Sequence, residues 1–337
     1  MMKKQSLLFF TLITFVVSAF SQENTDHSEF KPEGKAIVRV FANYNSNLGG
    51  NEQTGATDGM EIKRAYLGYK STLSKTFGIK MKMDVGNHSG KYEAFLKIAE
   101  LTYHKNKFSA HVGLIATTQF KVQEAFWGYR YLQKSFQDEY KYNGSADLGL
   151  SVDYKINKII SIDAIVQNGE GYKHVDPTGT YRAGLGTTIN IKSITFRTYY
   201  DISSKPDINR QNIAVLLAYK FKDKIRIAGE YNYQMNNHFS KDHNMFGYSF
   251  YTTYIINKKY EVFARYDKSQ SNIINDGAGH IEDQAWNINK DEDLALIGIQ
   301  YKPIKTVKIS ANYRQAISTV ADADAVNWFF LNLEFKL

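Results

Sequence analysis

Apolar and polar residues alternate with a period of two along most of the chain. In residues 77–86 one phase is Phe77, Ile79, Met81, Met83 and Val85, and the other carries Lys80, Lys82 and Asp84. Residues 224–234 set Ile225, Ile227, Tyr231 and Tyr233 against Arg226, Glu230 and Asn232. Residues 306–314 set Val307, Ile309, Ala311 and Tyr313 against Lys308, Asn312 and Arg314. Successive side chains of a strand point to opposite faces, so each segment predicts a strand with one apolar and one polar face. Charges repeated along the second face suit a wet interior, because a packed core does not tolerate unpaired ions.

The pattern predicts about sixteen strands, near residues 35–44, 60–71, 76–86, 92–104, 107–115, 145–155, 158–167, 181–190, 193–202, 211–220, 224–234, 245–256, 259–268, 292–302, 305–314 and 326–337. Tight links at residues 156–157, 191–192 and 221–223 alternate with longer ones at 46–58, 168–180, 203–210, 235–244, 268–290 and 317–325. Short turns at one end and long loops at the other mark a transmembrane antiparallel β-barrel. An even count places both termini on the periplasmic side. The last strand runs to the final residue, with Phe329, Leu331, Leu333, Phe335 and Leu337 in one phase, as closure against the first strand requires. Two strands resist this reading. Residues 92–104 put Lys97 on the outward face, where it must snorkel. In 245–256 Tyr and Phe occupy both phases.

One connection is unlike the rest. Residues 117–144 form the third external loop, too long for a turn and dense in aromatics, among them Phe120, Phe126, Trp127, Tyr129, Tyr131, Phe136, Tyr140 and Tyr142. Structureless loops of this length are usually functional or disordered. Its composition favours order, and it is expected to fold inward and narrow the lumen. Val122, Ala125, Phe126, Tyr129, Leu132 and Phe136 recur at helical spacing, with Gln123, Trp127, Arg130 and Lys134 on another face. A short amphipathic helix is therefore expected, with Glu124 near its start, and Arg130 and Lys134 turned to the channel.

Composition refines the picture. The 337 residues include no Cys, so no disulfide framework is called for. Lys3 and Lys4, an apolar run over 7–19 and Ala19-Phe20-Ser21 predict a secretory signal peptide over 1–21. Residues 22–34 read as a polar periplasmic lead-in, and 35–337 as the barrel. The destination is the outer membrane of a Gram-negative cell, in contact with lipid and lipopolysaccharide. The formal charge is +8, but Lys and Arg are scattered without a basic run, which argues against nucleic acid. Motifs for metal, phosphate or nucleophilic chemistry are missing, so neither a cofactor nor an enzyme is expected.

Residues 61–73 read EIKRAYLGYKSTL, residues 168–173 NGEGYK and residues 261–267 EVFARYD. These stretches resemble strands and strand ends of the phosphate-selective porin O and P family. The resemblance implies a usually trimeric sixteen-stranded barrel, an inward third loop, a basic lumen and phosphate or other oxyanions as permeants.

The polar phases give the candidate lumen. Arg39, Arg64, Lys80, Lys82, Arg182, Arg197, Arg226, Arg265 and Arg314 are expected to line the pore and set selectivity. Glu124, Trp127, Arg130 and Lys134 are the constriction-loop candidates. Basic residues slightly outnumber acidic ones in these phases, and rings of Lys or Arg favour anions. Arg39, Arg64, Lys80 and Lys82 share one wall, whereas Asp147, Asp153 and Asp163 share another. The expected function is passive diffusion of ions and small hydrophilic solutes with a mild anion preference. The alternative is a barrel acting as an adhesin or receptor through its external loops.

Overall fold

A computed structural model of the protein describes residues 30–49, 58–88, 90–174, 179–275, 281–320 and 323–337. Glu33–Leu337 forms one compact unit. The expected signal peptide lies outside the described residues.

The strands are β1 (Gly34–Gly49), β2 (Gly59–Thr72), β3 (Phe77–His88), β4 (Lys91–Lys105), β5 (Phe108–Ala116), β6 (Ala146–Lys155), β7 (Ile160–Gln167), β8 (Arg182–Ile191), β9 (Ile194–Lys205), β10 (Ile208–Phe221), β11 (Ile225–Met235), β12 (Met245–Ile255), β13 (Tyr260–Ser271), β14 (Ile273–Asn275), β15 (Ile281–Ala285), β16 (Glu292–Ile304), β17 (Val307–Ser318) and β18 (Val326–Lys336). Two short helices, α1 (Lys121–Trp127) and α2 (Phe136–Glu139), lie between β5 and β6. Among the described residues, sixteen strands close into one antiparallel barrel, each paired with its sequence neighbour, and β18 pairs with β1. Closure leaves no strand edge unpaired, the condition for backbone to sit in hydrocarbon. The pair β14–β15 stands apart as a small hairpin in the connection between β13 and β16. Among the described residues, no helix is long and apolar enough to cross a membrane.

All sixteen expected strands are present. The outward phase is a belt of exposed apolar side chains, including Leu67, Met81, Leu185, Leu217, Ile227, Ile297 and Leu331. Exposed Tyr69, Tyr154, Tyr219, Tyr254 and Tyr260 edge it toward the termini, and Tyr44, Tyr92, Tyr181 and Phe329 toward the loops. Aromatic side chains at two levels around an apolar band are what a barrel needs at two lipid–water interfaces.

The misfits in the pattern have structural causes. Lys97 does not point outward. The β3–β4 register slips between Lys82 and Met83, which makes Lys97 a bulge residue. It is turned inward, 4% exposed, and pairs with Asp84 at 3.2 Å. A bulge inserts one residue and shifts the phase beyond it. A second bulge in β2, where Phe41 pairs with Arg64 but Ala42 with Ile62, brings both Lys63 and Arg64 to the lumen side. In β12 the inward phase is Met245, Gly247, Ser249, Tyr251 and Thr253. The connection expected over 203–210 is instead a tight turn, since β9 runs to Lys205 and β10 starts at Ile208, with Asp207 at φ 67°. The connection expected over 268–290 is shortened by β13, which continues to Ser271, and is then occupied by the β14–β15 hairpin.

Candidate pore constriction

The third loop folds into the barrel. Its anchor is an apolar patch on the lumen face, where the wall breaks its own polar phase. Phe41, Tyr66, Leu216, Ala218, Ala228, Tyr251, Phe263 and Leu296 point inward and bury Phe126, Trp127, Tyr129, Tyr131 and Leu132 of the loop. The Trp127 ring sits 5.4 Å from that of Tyr251 and 6.2 Å from that of Phe263, nearly perpendicular to the latter. Tyr129 packs on Phe263 at 4.6 Å, and Tyr131 on Phe41 at 6.4 Å. Each tilted or edge-on pair adds about 0.5–1.5 kcal/mol beyond burial. A second cluster joins Phe136 and Tyr142 to Met245. Gly247 makes room for it, because a Cβ there would strike the Phe136 ring.

The loop is not the single amphipathic helix expected. Helix α1 stops at Trp127, because Gly128 takes the left-handed conformation (φ 76°) and its N–H closes onto the Glu124 carbonyl at 3.0 Å. Glycine adopts that conformation without the Cβ penalty, and this ends the helix. The break reverses two expectations. Trp127 does not face the channel; it is 1% exposed and donates its indole N–H to the Gln133 carbonyl at 2.9 Å. Arg130 is 9% exposed and clamped between Glu124 and Asp138. Lys134 lies on the side of the loop nearest the external connections, with Nζ 3.9 Å from Glu139.

The wall arginines divide into two sets. Arg182, Arg197, Arg226, Arg265 and Arg314 hold the loop. Arg182 donates to Gln119 at 3.0 Å, and Arg197 to the Thr118 carbonyl at 2.6 Å and Asp163 at 2.7 Å. Arg226 reaches the Tyr129 hydroxyl at 3.3 Å, and Tyr129 donates to Glu261 at 2.7 Å. Arg265 forks onto Asp267 and donates to the Lys134 carbonyl at 2.6 Å. Arg314 donates to Gln133 and to the Leu132 carbonyl, both at 3.1 Å. Arg182, Arg197, Arg265 and Arg314 are buried, so they do not line open water as expected. The reason is the loop itself, whose orphan carbonyls must be paired inside the lumen.

The second set lies around a cavity, its members exposed to different degrees. Arg39, Lys80, Lys82, Lys97, Lys121 and Arg130 line a cavity of about 480 Å³ between the loop and the end of the barrel that carries the termini. Glu124 is the one carboxylate in that lining. Several of these cations have acid partners, and most of the partners recede. Arg39 pairs with Glu334, Lys80 with Glu100 and Lys97 with Asp84, whose side chains are 1%, 8% and 3% exposed. Arg39 and Lys80 turn their positive ends to the cavity, each 33% exposed at the side chain, whereas Lys97 is buried with its acid. Lys82 has no carboxylate partner among the described residues; its Nζ lies 4.7 Å over the Tyr66 ring. Arg64 pairs with Asp84 at 3.2 Å and faces a second cavity, on the other side of the loop.

The expected acidic wall is spent elsewhere. Asp147 accepts the N–H groups of Gly169 and Gly171. Asp153 and Asp163 are taken by Lys121 and Arg197. Lys63, Lys97 and Lys121 were not among the candidates. The signal for Lys97 was its very misfit, a charge in an apolar phase that a bulge resolves. Lys63 and Lys121 gave none.

Two of the three family-like stretches contact the loop, and the third contacts the wall beside it. In residues 61–73, Lys63 donates to the Leu132 carbonyl at 3.3 Å, and Tyr66 packs on Phe41. In residues 261–267, Glu261, Phe263 and Arg265 contact Tyr129, Trp127 and Lys134. In residues 168–173, Tyr172 donates to Asp84 at 2.6 Å.

The Arg130 clamp gives a pH expectation. Burial alone would raise the Asp138 carboxyl, but Arg130 and then Lys134 outweigh it and hold it below the ordinary carboxylate range. A depressed acid stabilises the fold fully above its unfolded pKa, about 3.9 for Asp. That contribution is lost as pH falls through the lower folded value. Open-channel current noise should therefore stay constant from neutral pH to about pH 4 and rise below it. Flicker that begins between about pH 6 and pH 5 would show that this clamp does not hold the loop.

No protein-family model and no curated protein sequence matches the chain. Solved structures do match. The outer membrane channel DcaP of Acinetobacter baumannii superposes with a TM-score of 0.65 at 13% identity, over 92% of this chain and 99% of that one. OmpF of Salmonella typhi gives 0.67 at 11% identity, over 90% and 97%. The anion-selective porin of Comamonas acidovorans gives 0.68 at 9% identity, over 91% and 100%. At these identities the likeness speaks to architecture, and the chain has the fold of an outer-membrane porin barrel.

Proposed function

We propose that the protein is an outer-membrane porin through which ions and small hydrophilic solutes diffuse passively, with a preference for anions. The observation that carries this reading is the cavity beside the inward loop, lined by six cations and one carboxylate. Lumenal rings of Lys and Arg favour anions by offsetting the loss of hydration at a narrowing. The outward apolar belt requires lipid around it, since a continuous apolar patch of that extent is not stable in water. Outer-membrane lipid and lipopolysaccharide are the surroundings that fit, in the envelope of a Gram-negative cell. Phosphate and other oxyanions are the permeants suggested by the family-like stretches, and Lys82, without an acid partner among the described residues, is the group best placed to meet them. A homotrimer is the assembly those stretches suggest.

Liposome swelling tests the passive channel. Vesicles carrying the purified protein should swell in a small neutral sugar and more slowly in a larger one. Vesicles that do not swell would contradict a porin and leave the external loops as the functional part.

A further inference from the structure

The cavity on the other side of the loop has a different build. It encloses about 600 Å³ and is lined from the loop ends of the barrel. Lys141, Lys205 and Arg210 reach it, and none of the three forms a salt bridge among the described residues, although Asp201 attracts Arg210 from further away. Two of them are held in place by a ring instead. The Phe239 ring has Lys205 Nζ at 4.5 Å and Arg210 Cζ at 5.1 Å from its centre. Arg210 also donates to Ser203 at 3.3 Å, whereas its buried Nε has no hydrogen-bond partner among the described residues.

The ring itself is held under strain. Asn236, His238 and Phe239 have positive φ angles of 53°, 52° and 59°. A bulky residue in that region is an outlier that its surroundings must enforce. They do so here: Asn236 donates to the Asn209 carbonyl at 2.8 Å and accepts from Asp242 N–H at 2.9 Å, and Asn237 N–H reaches the His243 carbonyl at 2.7 Å. The turn therefore fixes two cations, neither of them in a salt bridge among the described residues. Burial, then Arg210, Lys290 and Lys141, push the His238 imidazole below its ordinary pKa, so it stays neutral near them. The rest of the lining is mixed: the cations Arg64, Lys134 and Lys173 and the carboxylates Asp138 and Glu170 stand beside neutral hydrogen-bonding groups, among them Asn143 and His174. Asp138 is taken by Arg130.

We propose that this cavity captures polyhydroxylated organic anions of sugar-acid size, with the acid group seated against Lys205, Arg210 and Lys141 and the hydroxyls on the polar wall that includes Asn143, His174 and the carboxylate of Glu170. Charge-assisted hydrogen bonds from preorganised cations favour an oxyanion. The volume far exceeds that of an inorganic anion, and a neutral sugar gains nothing from the cations. The site rests on the porin reading only in being a stage before entry to the lumen; binding itself needs no conduction.

Calorimetric titration of the purified full barrel in detergent with glucuronate, inorganic phosphate and glucose tests it. Glucuronate should bind more tightly than phosphate by about fivefold or more, and glucose should give no measurable heat. Lys205→Gln and Arg210→Gln should each weaken glucuronate by about fivefold or more, with the reversal potential of the channel unchanged. Lys80→Gln, in the other cavity, should leave glucuronate binding as it is. Phosphate as tight as glucuronate, glucose as tight as glucuronate, or binding that survives both Lys205→Gln and Arg210→Gln would overturn the proposal. Glucuronate binding without channel activity would refute the porin reading alone, and channel activity without glucuronate binding would refute the capture site alone.

Discussion

Deleting residues 124–134 should raise single-channel conductance by roughly two- to fivefold, because a barrel of this size stripped of its inward loop leaves an open aqueous channel. The deleted stretch contains Trp127, Tyr129, Tyr131 and Leu132, the side chains that dock on Phe41, Tyr251, Phe263 and Leu296. Each apolar wall residue exposed by the deletion forfeits about 1.5–3 kcal/mol of burial. The barrel should survive that loss, since its ladder from β1 to β18 makes no use of the loop. A lower melting temperature with a retained barrel is the expected companion result. Arg265 and Arg314 lose the Lys134 and Leu132 carbonyls and become hydrated wall charges. Conductance equal to that of the intact protein would mean that the loop does not limit the current.

The combined substitution Lys80→Glu and Lys82→Glu should move the reversal potential toward cations, on the order of 20 mV in a tenfold salt gradient. It leaves four cations facing three acids in the cavity beside the loop. Lys80 pairs with Glu100 at 2.9 Å, so reversing it also sets two carboxylates against each other at that spot. Lys82 has no acid partner among the described residues, and its reversal changes the cavity most directly. By contrast, reversing Arg197 should damage loop anchorage before it changes selectivity, because that arginine is buried against Asp163 and the Thr118 carbonyl. An unmoved reversal potential in the double variant would remove these lysines from the filter.

The strands were legible because lipid and water impose opposite demands on alternate residues, and that demand is written at every turn of the chain. The inward course of the third loop was legible from its aromatics, which need burial. The use of the arginines was not. Arg182, Arg265 and Arg314 look like pore charges in sequence, yet the loop they hold is distant in the chain and its carbonyls have no sequence signature. Bulges hid two more positions. Lys63 and Lys97 change face through one inserted residue each, and alternation alone cannot register the slip. The break at Gly128 is readable in retrospect, since a glycine inside a helical repeat is the natural place for a left-handed stop. The inward Phe41, Tyr251 and Phe263 were the misplaced apolar residues that marked the docking patch.

The central claim is that the cavity beside the loop makes the channel prefer anions. The reversal potential of the unaltered protein in a planar bilayer, under a potassium chloride gradient, tests it most directly. A potential of the sign set by chloride is expected. A potential of the sign set by potassium would contradict it.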